Sequence, residues 1–169
     1  FSPYSENLDP SLADIVYYIS SPGDLKKTDN FGEADTIDAS FVQKVNGLTI
    51  YAQFGSSARA HVFLNRKIGI IKVTLKTQET LIAGGETQII SLNEAEKKIE
   101  EGEGIIVLYG DDFHGAPLPP PIRTTFSSAK LGYLKDTSTN YLYPIFVFSG
   151  TALVRENEEK IVVYLPAIK

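Results

Sequence analysis

The chain of 169 residues contains no cysteine, no methionine and no tryptophan. Without cysteine it can form no disulfide, no zinc–thiolate site and no thiol nucleophile. The absence of both sulfur-containing side chains leaves nothing that is easily oxidised, which suits life on an exposed surface. The chain begins with Phe1 rather than methionine, which indicates either an excised domain or a mature protein whose signal peptide has been removed, and the lack of sulfur favours the second. Together these features predict an extracytoplasmic protein, either secreted or held at the cell surface.

Strong charge and long apolar runs are also missing. The chain has 21 acidic and 16 basic residues, giving a net charge of -5. Because a mild acidic excess disfavours binding to phosphate backbones and anionic lipid, we expect neither nucleic acid nor a membrane surface as partner. The longest apolar runs, such as residues 145–148, are far too short to span a bilayer. The expected partner is therefore another protein or further copies of the same chain.

The pattern from residue 41 onward predicts β-structure. Two short apolar runs are separated by Asn46 and Gly47, which both favour a positive φ, so this segment predicts a type I′ hairpin. Two further runs with alternating side chains follow and are joined by a turn near residues 65–67. The region therefore predicts an antiparallel meander of about four strands.

Two short segments have helical signals. In residues 11–19 the apolar side chains recur with i, i+3, i+4 and i+7 spacing, and Ser11 is placed to cap a helix. In the second segment, Ser91 and Glu94 form a capping box, and Gly102 is a natural C-terminal stop. The residues between the first segment and the β-region are rich in Ser, Gly, Pro and Asp, which predicts a loop.

The order of these elements predicts the fold class. Strands occur in runs rather than in alternation with helices, which indicates an α+β fold with antiparallel β-sheets and two short helices. Residues 1–37 are expected to form an N-terminal arm with a short helix. Residues 38–85 are expected to form a first β-rich unit and residues 86–169 a second α+β unit, packed together as one compact body.

Two stretches resemble known families. The run "FVQKVNGLTIYAQFGSSARAHVFLNRKIGIIKVTL" is similar to the repeat of the PepSY and thermolysin-propeptide group. The run "SLNEAEKKIEEGEGIIV", with the later "FSSAKLGYLKD" and "YLYPIFVFSG", resembles the second half of YycI/YycH-like regulatory ectodomains. The residues that match the second pattern are Ser91, Glu94, Ala95, Ile99, Gly102, Leu131, Tyr133, Tyr141, Leu142, Pro144, Phe146, Val147, Phe148 and Gly150.

The resemblance covers roughly residues 38–169 and carries implications for fold and function. It implies two similar PepSY-like units in a membrane-tethered or secreted, extracytoplasmic protein. Proteins of these families bind or restrain other proteins and catalyse nothing. The matching residues are turn, cap and core positions, so the resemblance implies a scaffold and no reactive site.

The loop "GDDFHG" holds the strongest metal-like cluster. Asp111, Asp112 and His114 offer oxygen and imidazole ligands for a cation. Three polar residues in a glycine-flanked loop are more often a solvated turn, and the ordered ligand spacing of a known metal loop is missing. We therefore expect no metal site and no cofactor.

The sequence also argues against catalysis. His61 and His114 are the only histidines, so a serine triad would have to use one of them. His61 lies within a strand pattern, where a half-buried packing role is more common than catalysis. No G-x-S-x-G motif is present. We expect no enzymatic activity and no catalytic residue.

The segment "NYLYPIFVFSG" predicts a strand that is covered on both faces, because both of its side-chain sets are apolar. We expect it to end at Gly150. Since proline cannot donate a ladder hydrogen bond, Pro144 predicts an edge strand or a bulge. An open edge would let another chain lie against the strand. The candidate interaction residues are Tyr141, Tyr143, Pro144, Phe146 and Phe148.

Two functions follow, and we prefer the first because the resemblance implies it. The first is a non-catalytic extracytoplasmic module that binds or regulates other proteins. The second is a secreted surface or filament subunit that assembles with copies of itself, using its N-terminal arm for strand exchange.

Overall fold

The computed structural model describes residues 8–52, 58–75, 85–109, 120–135 and 141–169. These residues form ten strands and one helix. In chain order the elements are β1 (Leu8–Ser21), β2 (Asp24–Thr28), β3 (Thr36–Val45), β4 (Leu48–Ala52), β5 (Ala58–Asn65), β6 (Gly69–Leu75), α1 (Leu92–Glu100), β7 (Ile105–Tyr109), β8 (Arg123–Lys135), β9 (Leu142–Val154) and β10 (Asn157–Pro166).

The chain divides into two units. Unit 1 comprises residues 1–50 and 56–81, and unit 2 comprises residues 51–55 and 82–169. The prediction of an α+β fold with two helices and two similar units is wrong, because the fold is mostly β. Within the described residues, unit 1 consists of strands without a helix, whereas unit 2 contains the single helix.

Unit 1 is an antiparallel sheet with the strand order β2–β1–β3–β5–β6. The hairpin between β3 and β4 turns at Asn46 and Gly47, which have φ values of 52° and 78° and confirm the predicted turn. The strand order differs from the predicted meander. β5 pairs with the first part of β3 rather than with β4, which precedes it in the chain.

The N-terminal region is strand and not helix. β1 occupies the segment predicted as a helix, and β2 lies within the predicted loop. In β1, Ile15 pairs with Ala39 and Tyr17 with Ile37. The run from Ile15 to Ile19 contains only β-branched and aromatic residues, which fit a pleated sheet well. Pairing with β3 therefore outweighs the helical spacing of the apolar residues.

Unit 2 is an antiparallel sheet with the strand order β8–β9–β10–β7. Helix α1 packs on one face through Ala95, which is fully buried, and the opposite face carries a smaller apolar cluster. Residues 145–148 of β9 are all buried, which confirms that both faces of this strand are covered. The main cluster consists of Ile90, Ala95, Phe146, Phe148, Ala152, Val154, Ile161, Val163, Leu165 and Ala167.

The predicted ends of helix α1 are confirmed. The Ser91 hydroxyl accepts from the Glu94 amide at 3.2 Å, and the Glu94 carboxylate accepts from the Ser91 amide at 2.8 Å. At the other end Gly102 has a φ of 84°, and the amide of Glu103 donates to the carbonyl of Lys98. The bonds at the two ends satisfy amides of the first turn and a carbonyl of the last turn, which the helix itself would leave unpaired.

Pro144 does not mark an edge strand or a bulge, so this prediction is wrong. β9 lies between β8 and β10, and Pro144 pairs in regular register with Tyr133. On the other side its carbonyl accepts from the amide of Ala167 at 2.9 Å. The Ala167 carbonyl in turn accepts from Ile90 at 2.8 Å. Pro144 has no N–H to donate to the Ala167 carbonyl, and the amide of Ile90 donates to that carbonyl instead. The proline is therefore tolerated inside the sheet.

Gly150 does not end the strand, which is a second correction. β9 continues to Val154, and Gly150 faces a β-bulge in β8. Phe126 pairs with Gly150 and Ser128 with Ser149, so Ser127 is the extra residue of the bulge. The glycine is required here because the β8 backbone approaches too closely for any side chain.

Candidate functional site

The weak metal candidates Asp111, Asp112 and His114 lie outside the described residues. Within the described ranges, no three His, Asp or Glu side chains are grouped so that they would hold a metal ion. Likewise, no helix of the described part has the length and apolar character needed to cross a membrane.

His61 has a carboxylate partner that the sequence did not reveal. Its Nδ1 lies 3.2 Å from Asp38 Oδ1, and both side chains are half-buried on neighbouring strands β5 and β3. Burial raises the pKa of the nearby Tyr18 phenol, and the charges of Asp38 and Asp14 raise it further. The pairing of Asp38 with His61 follows from the register between β3 and β5, which cannot be read from either strand alone.

This pair is not extended into a catalytic triad by the nearest serine. Ser40 lies opposite His61 in the register, yet its hydroxyl donates to the Asp14 carbonyl at 3.3 Å. A triad requires the serine hydroxyl to be hydrogen-bonded to the imidazole. The Asp38–His61 pair is therefore best described as polar packing on the surface of the sheet.

The predicted interaction residues fall into two groups. Tyr141 is exposed, while Tyr143 and Pro144 are partly exposed at the start of β9. Phe146 and Phe148 are buried in the main core of unit 2, where their rings contact each other. Phe146 and Phe148 therefore belong to the core of unit 2, and their role as interaction residues stays a prediction.

Several exposed apolar side chains follow one another on β6, which the sequence indicated only as an ordinary strand. In the described part of the chain β6 pairs with β5 alone, so it is an edge strand. Its apolar side chains and that of the preceding turn residue are strongly exposed: Ile68 75%, Ile70 65%, Ile71 50%, Val73 53% and Leu75 62%.

Three of these side chains, Ile70, Val73 and Leu75, share one face of the strand. Ile70 pairs with Leu64 and Val73 with Val62, which places them on one face. Ile71 has no partner in the register and forms a bulge, while the Lys72 ammonium lies 5.9 Å from the centre of the Phe63 ring on the other face. The strand thus offers exposed apolar side chains beside a row of backbone groups.

The turn before β6 is held firmly against unit 1. The Asn65 side-chain oxygen accepts from the amides of Lys67 and Ile68, at 3.0 and 3.3 Å. The Arg66 amide donates to the carbonyl of Asp35 at 2.8 Å, and the Arg66 guanidinium lies over the Phe31 ring. These contacts hold the turn between β5 and β6 against Phe31 and Asp35.

Comparison with known protein families, with curated proteins and with solved structures finds no significant match to this chain. The resemblance to PepSY and YycI/YycH-like domains accordingly stays a prediction. The function has to be argued from the surfaces of the two units.

Proposed function

We propose that the chain is a non-catalytic, extracytoplasmic protein-interaction module, and that β6 binds an extended segment of a partner protein. The observation that carries this proposal is the exposure of several apolar side chains along an edge strand. An added strand would pair with the outer backbone groups of β6 and would cover Ile70, Ile71 and Val73 at the same time.

The opposite edge of the same sheet supports this choice. β2 is also an edge strand, but its centre carries Lys26 and Lys27, which are exposed. Lysines on an edge strand are a usual protection against unwanted pairing. β6 carries one lysine, Lys72, among its apolar residues. β6 is therefore less protected against strand addition than β2 is.

Charge indicates what kind of segment would bind. Residues 58–75, which form the β5–β6 hairpin, carry four basic residues and no acidic one, although the whole chain has a net charge of -5. Like charges placed opposite each other destabilise a strand pair, so pairing of β6 with β6 of a second copy is disfavoured. The partner segment is therefore apolar in its centre and acidic at its flanks.

A membrane surface fits β6 less well than a strand does. Basic and apolar residues also occur in segments that lie on anionic lipid. Hydrocarbon cannot hydrogen-bond to the outer N–H and C=O groups of an edge strand, whereas a peptide strand can. No observation favours self-assembly through the N-terminal arm, because β1 is already paired with β2 and β3.

The test uses two synthetic peptides with the same alternating valine and threonine centre, flanked by glutamates in one and by lysines in the other. Binding is followed by peptide fluorescence anisotropy and by amide chemical shifts of the protein. We expect the glutamate-flanked peptide to bind more tightly and to shift the resonances of residues 69–75. Val73→Glu should weaken binding about tenfold or more, which corresponds to about 1.4 kcal/mol.

Leu25→Glu is the matched control, because Leu25 is a partly exposed apolar residue on the protected edge β2. This variant should bind the peptide as the unmodified protein does. Equal binding of the lysine-flanked peptide, or shifts confined to other strands, would contradict the proposal. Sedimentation with vesicles of phosphatidylcholine and phosphatidylglycerol that depends on Val73 would show instead that the hairpin binds lipid.

A further inference from the structure

A groove lies in unit 2 between helix α1 and strand β8. Its volume is about 370 Å³, which lies in the usual range for ligand sites of about 300–1,000 Å³. Leu92 and Ile99 line it from the helix, and Phe126 and Ala129 line it from β8. Leu92 is partly exposed, so the groove has apolar walls that solvent reaches.

The shape of one wall depends on the bulge in β8. The extra residue Ser127 lines the groove together with Ser128, and the Ser127 hydroxyl donates to the carbonyl of Ser149 at 3.2 Å. Bulges occur often beside binding sites, because they redirect side chains of an otherwise regular strand. Here the bulge brings Phe126 and two serines to the groove, opposite helix α1.

Two carboxylates on the helix give the groove its charge. Glu96 and Glu100 line it and lie four residues apart, on adjacent turns of α1. Within the described residues neither has a cationic partner. The neighbouring carboxylates differ in this respect, since Glu101 contacts Lys97 at 3.8 Å and Glu103 contacts Lys98 at 2.8 Å.

The two carboxylates are unfavourable to the helix that carries them. Like charges at i and i+4 repel each other, and a negative charge at Glu100 opposes the dipole at the C-terminal end of α1. A bound cation would relieve both effects. Apolar walls beside unpaired carboxylates suit a cationic group on an apolar stem.

We propose that this groove binds an arginine side chain of a partner polypeptide, together with an adjacent apolar residue. The methylene stem would lie on Phe126 and Ile99, and the guanidinium would bind between Glu96 and Glu100. A planar guanidinium has donors for two carboxylates at once, which a single ammonium satisfies less well. This site is independent of strand addition at β6, which selects segments of the opposite charge.

The test is a titration of the isotope-labelled protein with a blocked leucine–arginine dipeptide, followed by amide chemical shifts. The expected shifts lie in residues 92–100 and 126–129. A leucine–citrulline dipeptide of nearly the same shape, but without charge, should bind at least about tenfold more weakly. The double variant Glu96→Gln/Glu100→Gln should lose the same factor, while circular dichroism shows that the helix remains.

Glu101→Gln is the matched control, because Glu101 follows Glu100 directly but contacts Lys97 and does not line the groove. It should leave binding unchanged. Equal binding of the citrulline peptide, or full binding by the double variant, would overturn the proposal. If ethylguanidinium alone bound as tightly as the dipeptide, the inference that the ligand is a polypeptide would be wrong. If the amide chemical shifts of residues 92–100 changed with protein concentration in the absence of dipeptide, a second copy of the chain would occupy the groove, which would contradict the proposal.

Discussion

Gly150 in β9 lies directly against the backbone of β8 at Thr125. A Cβ atom added to Gly150 would lie 2.0 Å from the Thr125 carbonyl oxygen and 2.7 Å from the Phe126 Cα. Both atoms belong to the backbone, so no rotation of a side chain can relieve the overlap. The close approach occurs where β8 bulges at Ser127, and this connects one glycine of the core strand to the wall of the groove.

Gly150→Ala should therefore destabilise the protein more than an ordinary surface substitution. β8 would have to move away from β9, and overpacking of this kind costs about 1–3 kcal/mol and sometimes more. The free energy of unfolding in urea measures the effect. Ser149→Ala is the control, because it keeps the backbone carbonyl that accepts from Ser127. Equal stability of the two variants would show that the β8 backbone yields easily.

Signals carried by neighbouring residues predicted the local structure correctly. Asn46 and Gly47 both adopt the positive φ that the hairpin requires. Ser91 and Glu94 form the capping box, and Gly102 ends the helix. In each case the physical cause, a backbone angle or a hydrogen bond, acts within a few residues and is therefore visible in the sequence.

Features that depend on distant pairing were not predictable in the same way. The apolar spacing of residues 11–19 fits a helix as well as a strand, and pairing with β3 decides between them. The sequence around Pro144 predicts an edge strand, because the hydrogen bond from Ile90 to Ala167 joins residues far apart in the chain and is not visible in the strand itself. The fold class was misjudged for the same reason.

The candidate sites depend on the same long-range information. The apolar and basic composition of β6 was readable, but its edge position follows only from the strand order. The groove needs the β8 bulge, which the glycine in "FVFSG" permits and which an isolated strand pattern does not reveal. The partnership of Asp38 and His61 likewise requires the register of two strands.

Removing the helix cap should weaken helix α1. Ser91→Ala deletes the hydroxyl that accepts from the Glu94 amide, and the loss of such a cap costs about 1 kcal/mol. Urea unfolding measures the change, and hydrogen exchange of the Glu94 amide should become faster. Asn93→Ala, at an exposed position in the first turn of the same helix, should change the stability by less than about 0.5 kcal/mol. Identical exchange rates in both variants would contradict the role of the cap.

Two isoleucines of unit 1 should respond very differently to the same truncation. Ile50 is completely buried, so Ile50→Ala should cost about 2–5 kcal/mol. Ile70 is 65% exposed on β6, and Ile70→Ala should cost less than about 0.5 kcal/mol. The difference is read from urea unfolding of the free protein. A large loss for Ile70→Ala would mean that β6 is covered in solution, and would remove the basis for strand addition.

Asp35 should make stability depend on pH in the acid range. Its carboxylate accepts from the Ser20 hydroxyl at 2.7 Å and from the Ser20 amide at 2.9 Å, and these bonds hold the pKa of Asp35 below its usual value. As the pH falls through about 4, the unfolded chain takes up a proton that the folded protein does not. The contribution of Asp35 to the free energy of unfolding is therefore complete at neutral pH, and it is lost as the pH falls from about 4 through the lower pKa of the folded protein.

Asp35→Asn should make the decline of unfolding free energy below about pH 4 shallower. Asp29→Asn, at an exposed aspartate without a described hydrogen bond, is the control and should retain the original slope. If the two variants showed equal slopes in urea unfolding across that range, the Ser20 bonds would not be the source of the acid sensitivity.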